Sequence, residues 1–166
     1  VRDWARDTVP PGSAIVDVGC GSGVPIAQAL IADGFAVSGI DAAPTLAAAF
    51  HANFPAAPIA CEAAQHSRFF GRRFDAAVCL GLLFLLAEAD QRAVIARIAA
   101  ALVPGGRLLF TSPREPCEWD DVLTGRRSRS LGIAAYHALL DANGLTPVGS
   151  RIDEGDNHYI EAVKRG

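Results

Sequence analysis

The sequence predicts an α/β fold, a three-layer arrangement in which a mostly parallel sheet is covered by helices on both faces. Short apolar runs alternate with helical patterns along the chain, as expected of strands buried on both sides. The first run passes directly into a glycine-rich turn, Gly19-Cys20-Gly21-Ser22-Gly23, that opens a helix. The last two runs flank the turn-like Asp153-Glu154-Gly155-Asp156 and read as an antiparallel hairpin at a sheet edge.

The elements follow in order. Residues 14–18 form a first buried strand, and Pro25 suits the first turn of a helix running to about Asp33, closed by Gly34. Residues 36–40 form a second strand. Pro44 opens a helix whose apolar face carries Leu46 and Phe50, and Pro55 stops it. Residues 58–61 make a short third strand and 74–80 a fourth. Asp90 reads as the N-cap of the longest helix, with Val94, Ile95, Ile98 and Leu102 on one stripe. Pro104-Gly105-Gly106 ends it, and residues 107–111 form a fifth strand. Residues 112–129 are irregular. Ser130 then caps a helix with Leu131, Ala135, Leu139 and Ala142 on one face, stopped by Asn143-Gly144. Residues 145–152 and 158–163 are the arms of the terminal hairpin.

Composition bounds the function. A chain of 166 residues suffices for one compact domain with a core, and 51% hydrophobic against 20% charged residues argues against disorder. The net charge of -3 offers no basic field for a nucleic acid. The longest apolar run, residues 76–87, contains a glycine and is shorter than the roughly 18 residues a membrane-spanning helix needs. Arginine greatly outnumbers lysine, which reads as a bias of composition without functional meaning. The sequence contains no Met, so the single domain over residues 1–166 is expected to lack part of its N-terminal segment. Cys20, Cys61, Cys79 and Cys117 form no CxxC pair and have no His at metal spacing. No metal site and no disulfide framework are expected, and a reducing cytoplasmic setting is.

The strongest local signal is Val16-Asp17-Val18-Gly19-Cys20-Gly21-Ser22-Gly23. A strand entering closely spaced glycines lets a ligand approach the backbone, and the next helix presents free N–H groups. Asp41 ends the second strand 20 residues after Gly21, where a carboxylate can accept from both hydroxyls of a ribose or simply cap the following helix. A nicotinamide-binding fingerprint needs a third glycine where Val24 stands, which disfavours that class of enzyme.

These segments, together with Ile40-Asp41-Ala42, Phe74-Asp75 and the run from Leu102 through Pro104-Gly105-Gly106 to Phe110, resemble the ordered motifs of class I S-adenosylmethionine-dependent methyltransferases. The likeness is greatest to small bacterial members of the "type 11" group and covers nearly the whole chain. It implies a Rossmann-like sheet of strand order 3-2-1-4-5-7-6 with the last strand antiparallel. It also implies S-adenosylmethionine as cofactor and S-adenosylhomocysteine as product. The resemblance assigns Gly19, Cys20, Gly21 and Gly23 to the cofactor loop and Asp17 to ordering that loop and the amino-acid end of the cofactor. Asp41 is assigned to the ribose and Ala42 to the adenine side. Glu62 and Ala63 are assigned to the adenine amino group, with Glu in place of the commoner Asp. Leu80 and Gly81 fall beneath the reacting methyl, in a segment lacking the polar residues many relatives carry.

Methyl transfer from a sulfonium needs alignment and exclusion of water, and a base only when the nucleophile carries a proton. Ligands of open parallel sheets sit outside the carboxyl ends of the strands, which nominates Arg114, Trp119 and Tyr159 as acceptor contacts and His158 as the candidate base. Arg126, Arg127 and Arg129 either clamp an anionic acceptor or form a solvated charged loop neutralised by Asp120 and Asp121. The expected activity is methyl transfer to a small molecule. The alternative is a non-catalytic cofactor- or partner-binding module on the same fold.

Overall fold

A computed structural model describes residues 1–122 and 125–166; residues 123 and 124, within the segment expected to be irregular, lie outside the described residues. The strands are β1 (Ala14–Val18), β2 (Ala36–Asp41), β3 (Ile59–Cys61), β4 (Phe74–Cys79), β5 (Leu102–Thr111), β6 (Cys117–Asp120), β7 (Arg127–Ser130), β8 (Leu145–Ile152) and β9 (His158–Lys164). The helices are α1 (Arg2–Thr8), α2 (Ile26–Ala32), α3 (Pro44–Asn53), α4 (Glu88–Ala101) and α5 (Ile133–Ala142). Seven strands form one sheet in the order β3-β2-β1-β4-β5-β9-β8. β1 to β5 pair in parallel, and β9 runs antiparallel to both β5 and β8. This is the expected order once β6 and β7, which form a separate two-stranded ribbon, are counted.

Alternation along the strands divides the core. Val16, Val18, Ala77, Cys79, Leu108, Phe110, Ile160 and Ala162 face α4 and α5. Ile15, Ala76, Val78, Val37 and Leu109 face α1, α2 and α3. α1, which the sequence pattern did not suggest, buries Trp4 and Ala5 on the second face, while Arg2 and Arg6 pair with Asp33 beyond the end of α2.

Several boundaries differ from expectation. α4 begins two residues before Asp90: Ala87 is extended and its carbonyl accepts from Gln91 N at 3.0 Å, so Asp90 lies in the first turn beside Glu88, where acidic groups complement the helix dipole. Pro104-Gly105-Gly106 does not end this helix. β5 already starts at Leu102, and the three residues fall where its register with β4 shifts between Phe74 and Ala76. Ser130 does not cap α5 either; it pairs with Cys117 in the ribbon, and Gly132 is the cap. On α3 the buried residues are Ala47 and Phe50, while Leu46 is exposed. On α5 they are Tyr136, Leu139 and Leu140, with Ala142 outside the core.

Candidate functional site

A cleft of about 630 Å³ opens at the carboxyl ends of β1, β2, β3 and β4, where the fold class places its ligands. Gly19 and Gly21 form its floor, Asp41, Ala42 and Leu46 one side, and Glu62 and Ala63 the far end. Gly81, Leu82, Leu85 and Leu86 make the opposite wall, and Arg126, just before β7, completes the lining.

The glycine turn is tied to β2 by backbone bonds: Gly19 N and Cys20 N donate to Ile40 O at 2.8 and 3.1 Å. Asp41 locks it further, because Gly21 N donates to Oδ2 and Ala43 N to Oδ1, both at 2.8 Å. One carboxylate therefore fixes the turn and the start of α3 together while lining the cleft. Two glycines of the turn are required for different reasons. Gly21 has φ +56 and nothing within 4 Å of where a Cβ would stand, a cradle left open toward the cleft. Gly23 has φ +81 and is buried; a Cβ there would lie 2.5 Å from Phe54 and 2.8 Å from Phe50. Its glycine serves packing against α3 rather than the cleft.

Asp17, in β1 just before the turn, is 3% exposed, and its buried Oδ2 has no hydrogen-bond partner among the described residues. Burial, with the charge of Asp41 adding to it, pushes its carboxyl up to about 7. A buried acceptor aimed at no protein donor fits a ligand that brings a positively charged group. Cys20 sits beside Gly39, where a Cβ would meet its Sγ at 2.7 Å, so it too points into the fold. Burial pushes its thiol up, leaving it protonated and unreactive.

Of the residues expected at the cofactor, Gly19, Gly21, Asp41, Ala42, Glu62, Ala63 and Gly81 line one cleft, whereas Asp17, Cys20, Gly23 and Leu80 are not among its lining residues. Among the acceptor candidates the arrangement is less convergent. Arg114, Trp119, Tyr159 and His158 are not among the lining residues. His158 is 6% exposed and its Nδ1 lies 3.2 Å from the Ser112 carbonyl oxygen. Tyr159 faces the other side of β9 and donates to Asp153 Oδ2 at 3.0 Å. Trp119 packs on Phe84, ring centroids 5.5 Å apart, bracing the ribbon against the wall. Arg127 pairs with Glu118 and Asp120, and Arg129 with Glu118.

Leu82, Leu85 and Leu86, in the apolar segment expected near the reacting methyl, line the cleft. In the sequence they continue the apolar run of β4, and only a one-turn 3-10 helix at Leu83–Leu85 turns them across the mouth. Gln91, fully buried, anchors that wall: Nε2 donates to Leu86 O at 3.0 Å and to Arg129 O at 3.1 Å. Its Oε1 accepts from Tyr136 OH at 2.7 Å, which accepts in turn from Ser112 Oγ at 2.9 Å.

A family model described as a methyltransferase domain matches residues 15–106. No curated protein matches the sequence. Among solved structures the chain is similar to the Burkholderia thailandensis 1,6-didemethyltoxoflavin-N1-methyltransferase, with bound 1,6-didemethyltoxoflavin and S-adenosylhomocysteine. That likeness has a TM-score of 0.80 at 22% identity, covering 99% of this chain and 76% of that one. It is also similar to CalS10, an amino pentose methyltransferase from Micromonospora echinaspora, with a TM-score of 0.78 at 20% identity over 98% and 88% of the two chains. A TehB-like S-adenosylmethionine-dependent methyltransferase from Corynebacterium glutamicum gives 0.79 at 21% identity over 99% and 86%. At these identities the likeness establishes the fold. No helix among the described residues is long and apolar enough to cross a membrane.

Proposed function

The chain belongs to the class I S-adenosylmethionine-dependent methyltransferases, and on that premise we propose that it transfers a methyl group from S-adenosylmethionine to a small-molecule acceptor. One observation carries the reading: the cleft joins Gly21, with open space in place of a side chain, to an Asp41 that already orients it. The cofactor supplies a methyl group on a sulfonium, activated toward in-line displacement. Asp41 accepts from the ribose hydroxyls, and Glu62 accepts from the adenine amino group with Ala42 and Ala63 beside the ring. Asp17 holds the charge of the amino-acid end from β1, just before the loop. Leu82, Leu85 and Leu86 exclude water, so that alignment does the catalytic work.

These three leucines bring no proton acceptor to the wall, which favours an acceptor whose nucleophilic atom needs no base. Similar structures whose names include a toxoflavin precursor and an amino pentose support a small-molecule acceptor. The free cysteines support a reducing, cytoplasmic setting. His158 would act as a base only if acceptor binding exposed its imidazole. The non-catalytic reading draws on the same leucine wall.

Calorimetry with S-adenosylhomocysteine tests the cofactor; no binding at high micromolar concentration would refute the reading. Asp41→Ala removes one charge-assisted bond to the glycine turn and one to the start of α3, and is expected to weaken binding by about 10- to 100-fold. Gly21→Ala is expected to cost only about 1–2 kcal/mol of stability for its left-handed backbone, yet to weaken binding by about tenfold or more by filling the cradle. Unaltered affinity in both variants would remove these residues from the site. Transfer to any acceptor in a broad screen would reject the non-catalytic reading.

A further inference from the structure

The opposite end of the sheet carries a second cavity. β3 pairs with Gly39, Ile40 and Asp41 of β2, so among the described residues Ala36, Val37 and Ser38 have no strand partner on their outer side. The gap is a groove of about 350 Å³, walled by Ile31, Phe35, Val37, Phe54 and Pro58. Its polar groups are Ser38 and Arg72. Arg72 is held in place: its guanidinium donates to Ser38 Oγ at 3.2 Å and stacks 4.7 Å above the Phe74 ring.

Arg72 also lines an adjoining depression of about 280 Å³ with Arg68, Arg73 and Arg97. The turn bearing Arg68 and Arg72 is strained, with Phe69 and Phe70 at φ 49 and 56, a conformation that costs roughly 1–2 kcal/mol per residue. Arg73 donates to Leu102 O and Arg97 to Gln65 O and Ser67 O. Among the described residues no carboxylate lies within 4.0 Å of any of the four guanidinium groups. In a chain of net charge -3, this is a local excess of positive charge at the end of an apolar groove.

We propose that this groove binds an amphiphilic carboxylate, its hydrocarbon body along Phe35, Val37 and Phe54 and its anionic head at Arg72. A preformed, mostly apolar groove with a few fixed polar groups is the usual form of a small-molecule site, and the guanidinium fork matches a carboxylate. The groove touches the start of β2 and the cleft its end, so the site stands apart from the cofactor.

Titration calorimetry with decanoate below its micelle concentration tests this, beside 1-decanol, pyrophosphate and phosphatidylglycerol vesicles. Decanoate is expected to bind, with 1-decanol weaker by about tenfold or more and Arg72→Gln reducing decanoate affinity by a similar factor. Ala56→Trp, which fills the groove from its exposed rim, is expected to abolish binding while leaving S-adenosylhomocysteine affinity unchanged. The proposal is overturned if decanoate does not bind, if 1-decanol binds equally well, or if Ala56→Trp has no effect. Pyrophosphate matching decanoate would mean an anion patch alone. Competition with S-adenosylhomocysteine would place the ligand in the cleft, and vesicle binding without decanoate binding would make the face a membrane contact; each also overturns it.

Discussion

Raising the pH from about 4 to about 7 is expected to destabilise the free protein by at most about 4 kcal/mol, and Asp17→Asn is expected to remove most of that loss. Unfolded, Asp17 ionises near 3.8; folded, burial and the neighbouring charge of Asp41 hold its proton to about 7. Between those values the folded state binds more protons than the unfolded one, so stability falls as pH rises and levels off once both are ionised. Urea unfolding of both proteins across this range measures the difference in slope.

Binding should respond in the opposite sense. The cofactor's ammonium favours the ionised carboxylate, so S-adenosylhomocysteine affinity should rise by up to about tenfold per pH unit until about 7 and then flatten. Proton release on binding, read by calorimetry in buffers of different ionisation enthalpy, reports the same event. Asp17→Asn keeps the side chain's size and removes the titration, so it should bind more weakly at neutral pH and without that dependence. The neighbouring thiols of Cys20 and Cys79 are pushed up by burial and stay protonated throughout. A wild-type affinity that does not change between about pH 5.5 and pH 8 would show that Asp17 does not meet the cofactor's charge.

The residues readable in the sequence are those whose backbone makes the site. Gly19, Gly21 and Asp41 follow strand ends that apolar runs mark out, and the carboxyl edge of a parallel sheet gathers them whatever their side chains do. Strand order is what the family resemblance implies, and the terminal hairpin read from the residues agrees with it. Gly23 was legible as a glycine but not in its purpose, because its constraint comes from Phe50 and Phe54 on α3. The ribbon escaped notice because Cys117–Asp120 and Arg127–Ser130 are short and polar. Cross-strand ion pairs from Arg127 and Arg129 to Glu118 accompany the backbone pairing instead of an alternating apolar pattern. His158 was singled out by its place at the start of β9, whereas its ring lies among buried groups, a direction that strand parity alone does not connect to the cleft.

Gln91 shows why tertiary polar contacts are illegible in one sequence, and it carries the second large effect. It lies between charged residues near the start of a helix, where a solvent-facing side chain would be expected, yet it is fully buried. Gln91→Leu removes the side-chain donor to the carbonyls of Leu86 and Arg129 and the acceptor of the Tyr136 hydroxyl at once, and is expected to cost about 3–5 kcal/mol. The wall of Leu82, Leu85 and Leu86 loses its anchor with it, so S-adenosylhomocysteine binding should weaken in whatever fraction remains folded, and Trp119 fluorescence should shift as its contact with Phe84 loosens. Tyr136→Phe alone strands Gln91 Oε1 and leaves Ser112 Oγ without its acceptor on Tyr136. Because each single variant orphans the other's partner, the double variant should be more stable than the two losses added together, by about 1–2 kcal/mol. Strict additivity of the two substitutions would mean that the wall is held by apolar packing and that these hydrogen bonds do not couple it to α5.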